Sequence, residues 1–576
     1  MDDKKEETDI KKFRKNLSLG YRIIAITACL FIVFSPDVSS AVTRGEFAAL
    51  LFKELGYSVS ANPHLPPDVK NGHPFSKQIG SAARYGLIPK TAFGPDAVLD
   101  RHDAVRLAIS MMGWDFEVSL YESLNSLPDL AGTGDSVFFL AAEMNPPAPP
   151  ALLIDGSVPL SDSGAASLLK WVANCRHFVS LNRVISYNGT DFIIYRQGVA
   201  RPGVSNPPGT GNPVGSEKND PLYVAAIGVN MNYADARVAW AVALGRERAV
   251  LSDFVRAYEP VGAVNGGFFS NSRPLGAMVF DGYPAGKPIE GRSAAGWNNK
   301  DGAIVFGPGF GRVGVETPGG FVRFDRFNVP PLANEASFYP AGMMTAAAGT
   351  ALDALELAVR DGQVIERREG SRGNHFLPDG GSLIVARGNS RALLENHKQG
   401  DPLSVSAEWD TRSFELCDNV IQAGPMLTSN GQRAADNETF KADITDKRHP
   451  RTIVGTDGGR LIWAVIDGRD SVHSLGATID ETRWIAGALG LTTAVNMDGG
   501  GSSELIWRGI IANIPSDGKE RPLPYAVLAM PKGAPLERKN FEEAPPGHTD
   551  FGLEFPYTDS DTGRAAPMDT YAPYSE

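Results

Sequence analysis

Residues 494–503, Ala-Val-Asn-Met-Asp-Gly-Gly-Gly-Ser-Ser, carry the strongest structural signal in the sequence. An apolar run that ends in a carboxylate and three glycines places Asp498 at the end of a strand. Glycine accepts positive φ and lets backbone N–H groups come close to a ligand, so the loop can surround a phosphate beside a carboxylate. The alternative is a tight turn in which Asp498 bonds to its own backbone, which is the usual role of aspartate before glycine.

The same design, an apolar run that ends at a polar residue or a glycine turn, recurs earlier in the chain. The other segments are Val264-Asn265-Gly266-Gly267-Phe268-Phe269, Ile421-Gln422-Ala423-Gly424-Pro425-Met426-Leu427, and His449-Pro450-Arg451-Thr452-Ile453-Val454-Gly455 with the strand Val465-Ile466-Asp467-Gly468-Arg469 after it. In this order, the segments together are far more specific than any one of them.

The composition sets the class of protein. A chain of 576 residues exceeds the roughly 250 to 300 at which single cores stop growing, so we expect at least two domains. A charged fraction of 21% with abundant glycine and proline is typical of a globular protein with many loops, not of a coiled coil or a polytopic membrane protein. The net charge of −12 leaves no broad basic surface, so nucleic acid is not an expected partner.

The N-terminus has the pattern of a secretory signal peptide. Lysine and arginine are frequent in residues 4–15, an apolar run covers residues 23–34, and the small residues Ser39-Ser40-Ala41 follow. The apolar run is about 12 residues long, shorter than the roughly 20 that a membrane-spanning helix needs. We therefore predict a signal peptide at residues 1–41 and export to the cell envelope or the extracellular space.

Residues 42–178 repeat one pattern, a helix that begins at a capping residue and continues with apolar residues at helical spacing. The helix starts are at Thr43, Asp100 and Ser161, and Thr43 with Glu46 has the pattern of a capping box. The repeats resemble three consecutive surface-layer homology (SLH) motifs, a family that binds anionic cell-wall polysaccharide through the arginine of the helix start. The resemblance implies Arg44 as a wall-polymer ligand. The alternative is a helical domain with no ligand of its own.

The rest of the chain divides by composition. Residues 179–221 are expected to be a connecting segment with a linker rich in glycine and proline. Residues 222–532 contain short apolar runs at close intervals, as in a β-rich domain with some helices, for example at residues 482–489. Residues 533–576 contain few aliphatic side chains and are expected to be a disordered tail. The predicted fold is therefore multidomain, with an α-helical SLH-like N-terminal domain and an α+β domain with mixed β-sheets.

The glycine-containing segments together resemble the phosphodiester glycosidase family, which includes the lysosomal enzyme that removes N-acetylglucosamine to uncover mannose 6-phosphate. The resemblance extends from about Leu222 to Met530. It implies a hydrolase that cleaves the bond between a sugar anomeric carbon and phosphate in a sugar-1-phosphodiester of an envelope or extracellular glycan. The alternative is a non-catalytic glycan-binding or scaffolding protein that retains the glycosidase fold.

Phosphate is already a good leaving group, so such an enzyme must mainly hold the phosphate and stabilise an oxocarbenium-like transition state. We expect Asp498 to be the nucleophile or the water-activating base and Asp467 its partner, with Glu504 as a substitute. Arg451 offers a planar fork that matches two phosphate oxygens. With Asn265 these make up the predicted catalytic set. The predicted substrate-binding residues are Gly266, Gly267, Phe268, Gly424, His449, Thr452, Gly499, Gly500, Gly501, Ser502 and Ser503.

This chemistry requires no cofactor. Carboxylates such as Asp467 and Asp498 suit calcium or magnesium, so a divalent cation at the site is an open alternative. The nine histidines do not occur in metal-ligand spacing. The expected partners are a glycan or sugar-phosphate substrate and, through the SLH-like domain, cell-wall polysaccharide.

Overall fold

The computed structural model describes residues 42–131, 134–202, 219–341, 346–347, 351–370, 375–376 and 380–539. The predicted signal peptide, most of the predicted glycine- and proline-rich linker and residues 540–576 of the predicted tail lie outside the described residues. Within the described ranges, no helix combines the length and apolar character that crossing a bilayer requires.

The N-terminal part is helical, and the predicted helix starts are confirmed. The side chains of Thr43, Asp100 and Ser161 each accept a hydrogen bond from the backbone N–H three residues further on, which satisfies a donor that the first helical turn leaves open. The helices are α1 (Arg44–Glu54), α2 (Ser76–Arg84), α3 (Arg101–Met111), α4 (Asp115–Asn125), α5 (Ser136–Glu143) and α6 (Asp162–His177), with a 3-10 turn at Pro150–Leu152.

The repeat seen in the sequence is also a repeat of contacts. At the start of α1, Arg44 N donates to Ala97 O at 2.8 Å. At the start of α3, Arg101 N donates to Val158 O at 3.0 Å in the same way. Helices α1, α3 and α6 pack on one another. What this helical domain binds stays a prediction.

Residues 179–221 differ from the expected connecting segment. Strands β1 (Ser180–Tyr187) and β2 (Thr190–Gln197) form a hairpin, and β2 pairs along its whole length with β3 (Leu222–Val229). Phe192 and Ile194 alternate into the core along β2. This alternation covers few residues, and the glycine- and proline-rich stretch after it dominates the composition of the segment. The composition therefore did not predict the hairpin.

The strands after β3 alternate with few and short helices. The strands are β4 (Ala234–Trp240), β5 (Gly262–Asn265), β6 (Phe269–Ser270), β7 (Arg273–Pro274), β8 (Met278–Phe280), β9 (Tyr283–Gly286), β10 (Ser293–Trp297), β11 (Ile304–Pro308), β12 (Gly311–Thr317), β13 (Gly320–Phe327), β14 (Ala336–Tyr339), β15 (Ala346–Ala347), β16 (Leu355–Arg360), β17 (Gln363–Glu369), β18 (His375–Phe376), β19 (Ser382–Ala386), β20 (Val405–Trp409), β21 (Asn419–Gln422), β22 (Met426–Ser429), β23 (Gln432–Arg433), β24 (Arg451–Thr456), β25 (Leu461–Ile466), β26 (Thr493–Asn496), β27 (Leu505–Trp507), β28 (Ile510–Ile511) and β29 (Tyr525–Pro531). The helices are α7 (Leu251–Tyr258), α8 (Gly388–Leu394), α9 (Ala442–Asp446) and α10 (Ile479–Ala488).

The larger sheets confirm an α+β architecture with several antiparallel sheets. An eight-stranded sheet has the order β1-β2-β3-β25-β24-β26-β22-β23, and two five-stranded sheets have the orders β28-β27-β5-β29-β4 and β11-β10-β21-β8-β9. A seven-stranded sheet, β17-β16-β19-β14-β13-β12-β20, contains the parallel pair β13 and β14.

The eight-stranded sheet is the centre of the molecule. Every residue of β3 and β25 is buried, as expected for strands covered on both faces. One face packs against α10 through Ile479 and Ile485. The core on the other face is continuous with the helical domain, since Trp463 and Trp114 belong to the same buried cluster. The helical part and the eight-stranded sheet therefore share one core, while the seven-stranded sheet has its own.

A buried ion-pair network holds α10 in place. The helix begins with a full capping box between Thr478 and Glu481, three residues before the predicted helix. The same Glu481 carboxylate accepts hydrogen bonds from Arg448 Nε and Nη2, and Arg448 Nη1 also donates to Asp220 at 3.1 Å. All three charged side chains are buried, so each depends on the others for solvation.

Glu481→Gln is expected to destabilise the protein, because it leaves the buried Arg448 guanidinium with less compensating charge. Removing one partner of a buried pair costs on the order of 3 kcal/mol. Urea unfolding followed by tryptophan fluorescence measures the effect as a lower midpoint. Glu316→Gln is the matched control, since its carboxylate is exposed and 3.9 Å from Arg312. Equal midpoints for the two variants would contradict the role of the network.

Candidate functional site

The ends of β5 and β26 meet through the side chain of Asn265. This buried amide donates from Nδ2 to Asp498 O at 3.0 Å. Its Oδ1 accepts from Thr452 Oγ1 at 2.9 Å and from Glu504 N at 3.3 Å. Asn265 is the last residue of β5 and has no positive φ. Because its polar atoms are used internally, Asn265 fixes the loops of the site and is not placed to react.

Gly266 and Gly267 pack against the ring of Tyr525. A Cβ atom on Gly266 would lie 2.4 Å from Tyr525 Cε2, which no side chain can accommodate. Gly267 N donates to the Tyr525 hydroxyl at 2.8 Å, so this N–H is not available to a phosphate as predicted. Burial raises the pKa of Tyr525, and the charge of Asp498 acts in the same direction. Tyr525, which sequence reasoning missed, therefore keeps its proton beside the carboxylate.

Asp498 is the partly exposed carboxylate at the end of β26. Burial raises its pKa to about 6, while a hydrogen bond from the Ser502 hydroxyl, the charge of Arg521 and the Gly499 N–H act in the opposite direction. A carboxyl group with this pKa is mostly ionised at neutral pH and mostly protonated at pH 5. Of the predicted catalytic residues, Asp498 has the environment that suits a reacting group.

The glycine loop after Asp498 leaves room for charged side chains. Of the three glycines in this loop, Gly500 is the one with the predicted positive φ, +62°. Its N–H donates to Pro450 O at 2.9 Å. A Cβ atom on Gly501 would lie 2.1 Å from Arg521 Nη2. The loop therefore brings the Arg521 guanidinium against the backbone next to Asp498.

Two guanidinium groups flank this loop. Arg469 Nη2 would lie 3.2 Å from a Cβ atom on Gly500, and Arg469 Nη1 donates to Ser516 Oγ at 3.2 Å. Arg521 donates from Nε and Nη2 to Asp517 Oδ2, at 2.9 and 2.6 Å. The two arginine side chains are 35% and 30% exposed, so an incoming anion can reach them. Arg469 ends the segment Val465-Ile466-Asp467-Gly468-Arg469, and an arginine next to a glycine turn is the signal that could have identified it.

Arg451 does not have the predicted role. It is 4% exposed, and its guanidinium donates to the backbone carbonyls of Ala477 at 2.8 Å, Ile444 at 2.6 Å and Lys447 at 3.0 Å. As the first residue of β24, it lies inside the fold where these carbonyls need a donor. Arg451 therefore holds the segment that precedes β24, and a phosphate fork from this residue is not supported.

Asp467 is also held in a supporting position. Its Oδ1 accepts from Asn513 Nδ2 at 2.8 Å, and its Oδ2 accepts from Ile514 N at 2.8 Å. His473 Nε2 lies 2.9 Å from the same Oδ2. A carboxylate with this many partners is not free to act as the predicted second reacting group. Asp467 instead fixes the start of the loop that carries Ser516 and Asp517.

The substitute carboxyl group, Glu504, lies buried next to Glu520. Burial raises its pKa well above the usual range, and the adjacent Glu520 carboxyl group raises it further. Glu520 in turn accepts from Ser252 N at 2.8 Å at the start of α7. The Glu504–Glu520 pair therefore belongs to the structure behind the site.

Several other predicted binding residues are held by contacts inside the fold. Thr452 lies 3.1 Å from Ser503 Oγ, and both are buried. His449 Nε2 donates to Asp443 O at 3.0 Å, and burial, helped by the charge of Arg451, lowers the His449 pKa to about 4. His449 is therefore neutral. Gly424 is buried against Glu438, whose Oε2 would lie 2.4 Å from an added Cβ atom.

An open cleft lies along residues 436–446 and the start of α10. Its volume is about 470 Å³. The ring of Phe440, which lines it, is 6.4 Å from that of Phe268, the half-buried residue after the Gly266–Gly267 turn. The other lining residues are Asp436, Glu438, Thr439, Thr445, Asp446, Thr478, Ile479, Asp480 and Arg483.

The residues at the site do not fit a divalent cation. The oxygens of Asp467 already accept hydrogen bonds, and Asp498 lies beside a guanidinium group. In the described part of the chain, the group of side chains that could hold a metal ion is Asp100, His102 and Asp103 in the helical domain. Asp100 caps α3 and Asp103 forms an ion pair with Arg44, so these groups also have partners. The Arg44 guanidinium further donates to Phe93 O at 3.1 Å.

Comparison with known proteins gives one family. The family model for phosphodiester glycosidase matches residues 353–530, less than a third of the chain. The match includes Asp498, Arg469 and Arg521, whereas the predicted resemblance at residues 222–352 lies outside it. No protein of the curated set matches the chain.

Several solved structures are similar over 61% of this chain. A hypothetical protein from Synechocystis is 18% identical, with 77% of that chain covered and a TM-score of 0.45. A protein described as exported, from Burkholderia pseudomallei K96243, is 18% identical, with 97% covered and a TM-score of 0.47. The catalytic domain of zebrafish N-acetylglucosamine-1-phosphodiester alpha-N-acetylglucosaminidase, auto-inhibited by its pro-peptide, is 14% identical, with 88% covered and a TM-score of 0.30.

Structural similarity at these TM-scores does not indicate a function. The family of residues 353–530 is therefore inferred from the family model. Residues 353–530 carry a domain of the phosphodiester glycosidase family.

Proposed function

We propose that this protein hydrolyses the bond between a sugar anomeric carbon and phosphate in a sugar-1-phosphodiester of an envelope or extracellular glycan. The observation that carries the proposal is the combination of Asp498, whose pKa is about 6, with two accessible guanidinium groups beside the adjoining glycine loop. Arginine matches the oxygens of a phosphodiester in charge and in shape. The family of residues 353–530 supports the same reaction class.

The proposed reaction places the phosphate against Arg469 and Arg521. As the C1–O bond breaks, the electron pair leaves with the phosphate oxygen, and the guanidinium groups stabilise the charge that develops there. Ionised Asp498 either attacks C1 or takes a proton from the water that attacks it. In both cases water supplies the hydroxyl group of the released sugar and a proton, and the other product is a phosphomonoester.

The cleft beside Phe440 is the proposed place for more of the glycan. Threonine hydroxyls and carboxylates can bond to sugar hydroxyls, and an aromatic ring can pack against a sugar face. The exposed side chains of Thr439 and Asp446 offer such groups at the cleft wall. Polar groups of this kind would set specificity for the sugar or for the group on the other side of the phosphate.

Export through the predicted signal peptide, and attachment of the helical domain to wall polysaccharide through Arg44, are parts of the same proposal. A glycan in the envelope is the substrate that an exported enzyme would meet. The ion pair between Arg44 and Asp103 would have to open for an anionic polymer to bind there.

Asp498→Asn is expected to reduce kcat/KM for an N-acetylglucosamine-1-phosphodiester by at least about 10³-fold, because the amide can neither attack nor accept a proton. Released N-acetylglucosamine is measured with the purified mature protein, and circular dichroism checks the fold. Asp325→Asn is the control, since this carboxylate belongs to β13 of the seven-stranded sheet and pairs with Arg323. Hydrolysis that is indifferent to Asp498→Asn would refute the assigned role. No hydrolysis of any sugar phosphodiester by the unmodified protein would favour the glycan-binding alternative.

The pH dependence of kcat/KM is expected to follow Asp498. Because the ionised form is the active one, kcat/KM should rise with pH through about 6 and level off above it. Arg521 lowers the Asp498 pKa, so Arg521→Gln should move this limb to higher pH in addition to slowing the reaction. Arg323→Gln should leave the limb in place. A limb that stays at the same pH in Arg521→Gln would contradict the effect of the Arg521 charge on the Asp498 pKa.

A further inference from the structure

We propose that Glu117 of α4 is a positioning residue of the glycosidase site and acts through His473 on the loop that carries Arg469. This inference rests on the proposed function, because it assigns Arg469 to the phosphate. The loop comprises residues 467–475, between β25 and α10. Glu117 belongs to the helical domain, so the inference makes that domain a part of the active site.

The link is a buried series of charged and polar side chains. Glu117 Oε1 lies 2.8 Å from Arg196 Nε and 3.7 Å from His473 Nδ1. On the other side of the imidazole, His473 Nε2 lies 2.9 Å from Asp467 Oδ2. Glu117, Arg196, Asp467 and His473 are all buried. His473 thus lies between a hydrogen-bonded carboxylate, Asp467, and the Glu117 carboxylate of the helical domain, which is beyond hydrogen-bond distance of Nδ1.

Aromatic contacts fix the imidazole in this position. The ring centroid of Phe116, which precedes Glu117 on α4, is 5.0 Å from that of His473. The ring of Tyr223 is 4.8 Å away. The imidazole therefore has rings packed against it from both domains, and its orientation follows the position of α4.

The loop needs such support because of Arg469. This residue has φ +66°, a left-handed conformation that costs a non-glycine residue on the order of 1 kcal/mol or more. Asp470 stabilises the turn by accepting hydrogen bonds from Val472 N and His473 N at 2.8 and 3.1 Å. The position of His473 therefore determines where the turn lies and where the Arg469 side chain leaves it.

Two further contacts are made with the same loop, one by the helical domain and one by the segment that follows β2. A Cβ atom on Gly113 would lie 2.4 Å from Val472 O, so the backbone at the junction of α3 and α4 lies directly against the loop. Arg201 N donates to Ser471 O at 2.7 Å. A shift of the α3–α4 junction would therefore move Val472.

The buried Glu117–Arg196 pair carries a cost in stability. Burying a carboxylate and a guanidinium costs several kcal/mol per ion, and an apolar pair of similar volume is often as stable. Glu117 Oε2 is buried without a hydrogen-bond partner, which adds to this cost. The arrangement is understandable if the carboxylate selects one orientation of His473.

The test is Glu117→Gln in the full chain, with two measurements. The first is kcat and KM for an N-acetylglucosamine-1-phosphodiester, where we expect kcat/KM to fall about 10- to 100-fold, since small displacements of a binding group have effects of this size. The second is hydrogen exchange of peptides that cover residues 467–475, which should become faster. Glu122→Gln is the matched control, on the same helix but with its carboxylate exposed and 3.2 Å from Arg106. It should leave both measurements unchanged.

A double-mutant cycle separates positioning from general destabilisation. If Glu117 acts through His473, the losses in kcat/KM for Glu117→Gln and His473→Gln should not add in the double variant. The losses in kcat/KM for Glu117→Gln and for Glu438→Gln, on the far side of Gly424, should add in their double variant. Additive losses with His473→Gln, or unchanged kcat/KM and exchange in a folded Glu117→Gln protein, would overturn the proposal.

Two further outcomes are distinguishable. If Glu117→Gln does not fold, the double variant Glu117→Gln with Arg196→Gln removes both buried charges together, and the same loss of activity and faster loop exchange are expected. If the unmodified protein hydrolyses no sugar phosphodiester, the proposed function fails, while the exchange of residues 467–475 still decides whether Glu117 orders the loop.

Discussion

The side chain of Asn265 is the contact on which the arrangement of the site depends. One amide joins β5 to the backbone of Asp498, to Thr452 in β24 and to Glu504 at the start of β27. These strands belong to two different sheets, so this amide links the ends of strands that do not all pair with each other in one sheet. A buried amide with all its partners also carries a large penalty for any other arrangement. The glycine loop and its carboxylate therefore have one position.

Charge is distributed around this fixed centre in a consistent way. Asp498 stays partly buried and its pKa is raised, while the arginines nearest to it remain accessible. The other charged residues of the region, Arg451 and Asp467, are internally paired and hold segments in place. The site thus separates the groups that can meet an anionic substrate from those that shape it, as preorganised electrostatic sites require.

The sequence predicted the type of fold and the central residue of the site better than the roles of its neighbours. Strand ends followed by glycines are local patterns, so the segments around Asn265 and Asp498 could be recognised, as could the capped helices that begin after Thr43 and Asp100. Side-chain partners far apart in sequence could not be predicted. Arg451 looks like a phosphate ligand until the carbonyls of Ile444 and Ala477 are seen around it. Likewise, the link between Glu117 and His473 spans two domains and has no local signature.

The proposed function depends most on attack at the anomeric carbon, which distinguishes a glycosidase from a phosphodiesterase. Hydrolysis of a sugar-1-phosphodiester in ¹⁸O-labelled water, with the phosphomonoester product followed by ³¹P NMR, tests this directly. The account predicts a phosphate without ¹⁸O, because the C1–O bond breaks and water adds to the sugar. Incorporation of ¹⁸O into the phosphate would mean attack at phosphorus and would contradict the proposed role of Asp498 at the anomeric carbon.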